Sequence, residues 1–153
     1  MAVAFTVPLT NVIKELSLEK IYTPENEEGI LISSMDVSRP GLELTGFFDY
    51  YDNTRILVIG NTENAFLARF TSEERYRVLQ DLVSRKPPAI IICRNLQPFE
   101  ELLTACKLHE VPLLRTADTT SSLVAALVSY MSVELAPRII RHGVLVEVYG
   151  EGI

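Results

Sequence analysis

The sequence predicts an α/β fold: a parallel or mixed sheet with helices on both faces. Three observations carry that expectation. First, three short runs are apolar throughout: Ile56-Leu57-Val58-Ile59, Ala89-Ile90-Ile91-Ile92-Cys93 and Val111-Pro112-Leu113-Leu114. Strands without polar positions belong in sheets covered on both sides. Second, each run is followed by apolar residues at helical spacing, so strand and helix alternate from 55 to 136. That alternation builds a parallel sheet through crossover helices. Third, the chain has 153 residues, 48% hydrophobic and 22% charged, which is globular composition with enough length to bury one sizeable core.

Taken in order, Val3 to Phe5 reads as a short strand. Thr6 is placed to cap a helix with Pro8 in its first turn, where a missing N–H does no harm. Leu9, Val12, Ile13 and Leu16 share one face of that helix. Leu18 to Tyr22 is a second apolar segment, Glu25 to Gly29 an acidic turn and Ile30-Leu31-Ile32 a strand. After the strand at 55–60, Gly60 leads into a helix with Asn61 or Thr62 as its cap and Glu63 in its first turn. A single Gly there is no dinucleotide fingerprint, which needs G-x-G-x-x-G. Thr71-Ser72-Glu73-Glu74 is a capping box. The helix it opens carries Tyr76, Val78, Leu79, Leu82 and Val83, and Pro87-Pro88 closes it. Phe99, Leu102, Leu103, Cys106 and Leu108 mark the next helix, and Asp118 is placed to cap the last. That helix runs through Leu123, Leu127, Tyr130 and Met131 until Pro137, which cannot continue it. Residues 1–135 are therefore expected to form one domain, with 136–153 beginning something else.

Net charge is −6 and the isoelectric point about 5.0. Such a balance argues against nucleic acid as the main partner, since phosphate backbones are held by Lys and Arg clusters. Arg85-Lys86 and Arg138 with Arg141 are the nearest approach to a patch and read as solvated surface. Cys93 and Cys106 lack disulfide-framework or metal-site spacing, with only His109 nearby. They read as small buried hydrophobes in a reducing compartment. The first residues lack a basic start and long apolar core, and no run approaches the roughly 20 residues of a membrane span. A cytoplasmic protein without membrane partners is expected.

The most distinctive composition lies at 36–51, where Asp36-Val37-Ser38-Arg39-Pro40-Gly41 precedes Gly46 and four aromatics, Phe47, Phe48, Tyr50 and Tyr51. One reading is a recognition surface, with Asp36, Ser38 and Arg39 beside aromatic anchors. The other is a loop pinned by buried aromatics, with Arg39 paired to an acid such as Asp36. If the aromatics are core, Phe47→Ala should cost about 3–5 kcal/mol.

At the other end, Val144, Val146 and Val148 alternate with Leu145, Glu147 and Tyr149, a strand pattern leading into Gly150-Glu151-Gly152. This run, and Arg39-Pro40-Gly41-Leu42-Glu43-Leu44-Thr45-Gly46-Phe47, resemble bacterial HPr kinase/phosphorylase. The first resembles the opening of its catalytic domain, the second a stretch of its N-terminal domain. Glu147 departs from the family's usual aspartate. The resemblance implies a bifunctional enzyme that phosphorylates a serine of HPr, the phosphocarrier of the sugar phosphotransferase system, and removes that phosphate. It also implies ATP and Mg²⁺ as cofactors, a hexamer, and a role in carbon catabolite control. His142 is the one residue it marks as catalytic, near the bound phosphates. The family's phosphate loop, G-x-x-x-x-G-K-[ST], does not occur in these residues, and no cofactor is expected on this stretch. The resemblance further implies that residues 136–153 are a linker and first strand of the kinase domain. It implies an N-terminal domain with the fold of the nucleotide-sugar-binding domains of cell-wall amino-acid ligases, acting as an accessory, a small-molecule sensor or a partner-binding module.

Overall fold

The computed structural model describes residues 5–136. They hold seven strands and five α-helices. They are β1 (Val7–Pro8), α1 (Leu9–Glu15), β2 (Glu19–Tyr22), β3 (Leu31–Ile32), β4 (Val37–Ser38), β5 (Ile56–Ile59) and α2 (Asn61–Leu67). Then come α3 (Ser72–Val83), β6 (Ile90–Ile92), α4 (Glu100–His109), β7 (Leu113–Arg115) and α5 (Thr120–Glu134). The main sheet has five strands in the order β2-β7-β6-β5-β4. β4 to β7 run parallel, and β2 is added antiparallel at the β7 edge. The expected sheet is therefore mixed.

The buried runs work because strand side chains alternate. Ile56 and Val58 point to one face, together with Ile91 and Leu114, and meet α1 through Leu9, Val12 and Ile13 and α5 through Leu123, Leu127 and Met131. Leu57, Ile59, Ile90, Ile92 and Leu113 point to the other, against Leu67 of α2, Leu79, Leu82 and Val83 of α3, and Leu102, Ala105 and Cys106 of α4. Apart from Arg115 at the end of β7, every position in these strands is apolar because each face has its own helical layer.

Several local expectations shift. No strand lies at Phe5; the pairing is Val7 with Ile32 in a separate two-stranded ribbon, where Pro8 sits at an edge that needs no N–H. Val3 lies outside the described residues. Pro8 rather than Thr6 is the N-cap of α1, and Leu9 N–H donates instead to the Ile30 carbonyl at 2.9 Å. Gly60, not Asn61 or Thr62, precedes α2. Thr119 rather than Asp118 caps α5, its Oγ1 accepting from Ser122 N–H at 3.2 Å. The box at Thr71 forms as read: Glu74 N–H donates to Thr71 Oγ1 at 3.1 Å and Thr71 N–H to Glu74 Oε1 at 3.0 Å. Leu108 faces solvent instead of the core.

Candidate functional site

In open α/β sheets, ligands settle beyond the carboxyl ends of the strands, where chain order reverses. Here β4, β5, β6 and β7 follow one another across the sheet in sequence order, so no reversal opens a crevice among the parallel strands. The residues at those ends close on each other instead. Glu63, in the first turn of α2, is buried and accepts the Gly60 N–H at 2.8 Å. Its charge is met by Arg39, immediately after β4, whose Nη2 lies 3.2 Å from Oε2 and 3.4 Å from Oε1. Thr120, the first residue of α5, packs so tightly against Gly60 that a Cβ there would stand 2.1 Å from its Oγ1. Only glycine fits that approach. Cys93, just past β6, is fully buried beside the same group. Burial pushes its thiol up, against the pull of the Thr120 hydroxyl and the Arg39 guanidinium. A thiol so placed stays protonated near neutral pH and is no nucleophile. The cluster thus ties β4, β5, β6 and α5 together.

This geometry corrects the reading of 36–51. Arg39 pairs with Glu63, twenty-four residues away, while Asp36 pairs with Arg55 at 3.7 Å. Each therefore has a protein partner of its own while remaining partly exposed. The aromatics divide. Phe48 and Tyr51 pack on the α3 and α4 side of the core, edge to face with centroids 5.8 Å apart. Phe47 and Tyr50 turn outward, 42% and 91% exposed. Gly46 permits this by taking φ of 98° at the end of a 3₁₀ turn over Leu42–Thr45. Arg85 is exposed, as expected, and also stacks on the Phe48 ring at 3.5 Å from its centroid. His109 hydrogen-bonds Gln80 rather than approaching a metal set with Cys106. Cys106 is buried, and burial pushes its thiol up to about 12. Among the described residues no group of three or more His, Cys, Asp and Glu could hold a metal ion. Nor is any helix long and apolar enough to cross a membrane. His142, Arg138 and Arg141 lie outside the described residues.

Sequence reasoning missed Glu63 as the hub of the strand ends. Its only signal was an acid in a first helical turn after a Gly, which is also how an ordinary cap is written.

Fold and site together define a small α/β domain whose polar residues at the strand ends serve each other. Comparison with known proteins gives that class its family. Residues 7–131 match the family model described as HPr Serine kinase N terminus. The HPr kinase/phosphorylase of Lachnoclostridium phytofermentans is 43% identical over 150 residues, 97% of this chain and 48% of that protein. Those of Caldicellulosiruptor bescii and Enterococcus faecalis are each 42% identical, over 97% and 96% of this chain and 48% and 47% of theirs. The chain belongs to the HPr serine kinase N-terminal family, and it spans about half the length of the curated relatives it matches. A solved structure with a similar fold contains the CBS and DRTGG domains of the regulatory region of Clostridium perfringens pyrophosphatase, complexed with the activator diadenosine tetraphosphate. Its TM-score is 0.56 and its identity 15%, over 78% of this chain and 45% of that one. That neighbour is not a cell-wall ligase; it bears out the α/β class alone.

Proposed function

We propose that this chain is the N-terminal accessory domain of an HPr kinase/phosphorylase, serving assembly or regulation of the enzyme rather than its chemistry. The supporting observation is a match of up to 43% identity that covers 97% of this chain but only the corresponding 48% of the relative. In this reading residues 1–135 are the domain, and 136–153 are a linker and the first strand of a kinase domain. The parent enzyme transfers phosphate from ATP with Mg²⁺ to a serine of HPr and removes it again, as a cytoplasmic homo-hexamer. His142 serves near the phosphates there. A phosphoryl-transfer site needs groups that cradle the β- and γ-phosphates and hold the metal ion, and the 153 residues contain no G-x-x-x-x-G-K-[ST] loop to do so.

The test has two arms. Purified chain incubated with HPr, ATP and Mg²⁺ is expected to form no phosphoserine. A parent enzyme stripped of this domain is expected to retain phosphoryl transfer but change its sedimentation behaviour or its response to metabolites. Phosphoserine formed by this chain alone would overturn the reading.

A second reading is a small-molecule sensor, favoured by the occurrence of a similar fold in a regulatory region crystallised with its activator. A ligand that binds only the native state raises apparent stability. Diadenosine tetraphosphate at about 100 times its Kd would add about 2.7 kcal/mol, and an unmoved thermal midpoint at millimolar nucleotide would exclude that ligand.

A further inference from the structure

An open groove of about 700 Å³ runs between the turn after β4 and α3. Phe66 and Phe70 line it, edge to face with centroids 5.2 Å apart. Its charged lining residues are Glu43, Glu74 and Asp81 against Arg77, with Arg85 paired to Asp81 from outside the lining. Each carboxylate is held in place by one oxygen. Glu43 Oε1 accepts Gly41 N–H at 3.1 Å, Glu74 Oε1 accepts Thr71 N–H at 3.0 Å, and Asp81 Oδ1 pairs with Arg85 at 3.4 Å. Aromatic walls with an excess of fixed carboxylates suit a cation carried on an apolar body.

The same turn points to a large occupant. Leu42, Phe47 and Tyr50 are 64%, 42% and 91% exposed there, and Phe47 and Tyr50 lie 6.4 Å apart. None of the three lines the groove itself; they flank its lining residues 43–46 in the chain, so a small organic cation in the groove would leave them in water. A protein segment would cover them, and exposed aromatics beside a groove are the usual anchors of such contacts. We propose that the groove and the aromatic turn form a docking surface for a basic, amphipathic protein segment, with Lys or Arg reaching the carboxylates and apolar side chains meeting Phe47 and Tyr50. This goes beyond the accessory role above and does not depend on it.

The experiment titrates the whole chain into a fluorescein-labelled helical peptide with Leu at i, i+3, i+4 and i+7 and Lys elsewhere, followed by anisotropy. Saturable binding is expected, weakened about tenfold by the double substitution Glu43→Gln/Glu74→Gln and about as much by Phe47→Ala, and weakened further by added salt. Glutamine keeps an acceptor oxygen for Gly41 and Thr71, and Phe47 is half in water, so all three substitutions should leave circular dichroism and thermal midpoint unchanged. The proposal is overturned by absent binding, or by equal affinity in folded variants. An all-Lys peptide bound as tightly would reduce the surface to its charge and overturn it also. Displacement of the peptide by millimolar arginine amide, with Phe47→Ala without effect, would assign the groove to a small cation instead.

Discussion

Arg39 stabilises by meeting a charge that has nowhere else to go. Removing one partner of a buried pair costs about 3–5 kcal/mol because the other is left uncompensated. Glu63 is only 8% exposed but Arg39 is 47% exposed, so water takes over part of the role and the expected cost of Arg39→Ala falls to about 2 kcal/mol. In a Glu63→Gln background, which keeps an acceptor for Gly60, the same substitution should cost well under about 1 kcal/mol, and urea unfolding of the four proteins closes the cycle. The aromatic pair gives a second contrast. Phe48 is tucked against Tyr51 and under Arg85, so Phe48→Ala should cost about 2–3 kcal/mol, somewhat less than a fully buried Phe. Phe47→Ala should stay within about 0.5 kcal/mol of the parent, as surface substitutions do; the core reading of Phe47 fails on its exposure. Titration supplies a third expectation. Burial pushes the Tyr51 phenol and the Cys106 thiol up to about 12, from ordinary values of 10.0 and 9.0. Unfolded chains release these protons first, so the stability they contribute is complete below about pH 9 and is lost as pH rises toward about 12. The urea midpoint should therefore fall on this alkaline limb, and Tyr51→Phe with Cys106→Ala should flatten the fall. An equally steep fall in that variant would assign it to other groups.

Helix entry distinguishes neighbouring residues that look alike in sequence. Asp118 and Thr119 are both good caps, but only Thr119 has its side chain on a helical N–H, that of Ser122. Asp118 takes part through its backbone, its N–H donating to Thr116 Oγ1 and its carbonyl accepting from Arg94 N–H. Thr119→Ala is expected to cost about 1 kcal/mol and Asp118→Ala less than about 0.5, read from thermal midpoints of the two variants. Why sequence reasoning chose Asp118 is physical: both residue types cap, and their order is settled by where β7 releases the chain. The same limit explains other misses. β5, β6, β7 and their helices were legible because their apolar periodicity is local. The two-residue strands β1 and β4 carry no period and exist only through partners, Val7 with Ile32 and Val37 with Ile56, whereas β3 was legible in the apolar run Ile30-Leu31-Ile32. Arg39 was legible as a residue seeking an acid, but the acid lies across a 3₁₀ turn and a strand. Asp36 was nearer in sequence and turned to Arg55.

Considered as a whole, the described residues pack into two helical layers around one five-stranded sheet. One side of the sheet is sealed by α1 and α5, the other by α2, α3 and α4, and among the described residues the two core clusters draw their buried members from Val7 to Met131. The family match covers the same residues, 7–131. Among the described residues, the last to contribute to either cluster are Met131, fully buried, and Leu135, packed at its margin. A chain ended after Ala136 should therefore keep both layers and every strand pairing described. Its thermal midpoint is expected within about 2 °C of the longer chain, since a change below about 0.5 kcal/mol moves a domain of this size by no more than that. Differential scanning calorimetry of the two lengths checks it, with the unfolding enthalpy as a second reading. If residues 137–153 belonged to this sheet, their removal would lower both quantities together, because each further buried aliphatic side chain is worth about 1.5–3 kcal/mol. An unchanged enthalpy with an unchanged midpoint would place the boundary of the folding unit at the end of α5, leaving the following residues free to belong to another domain.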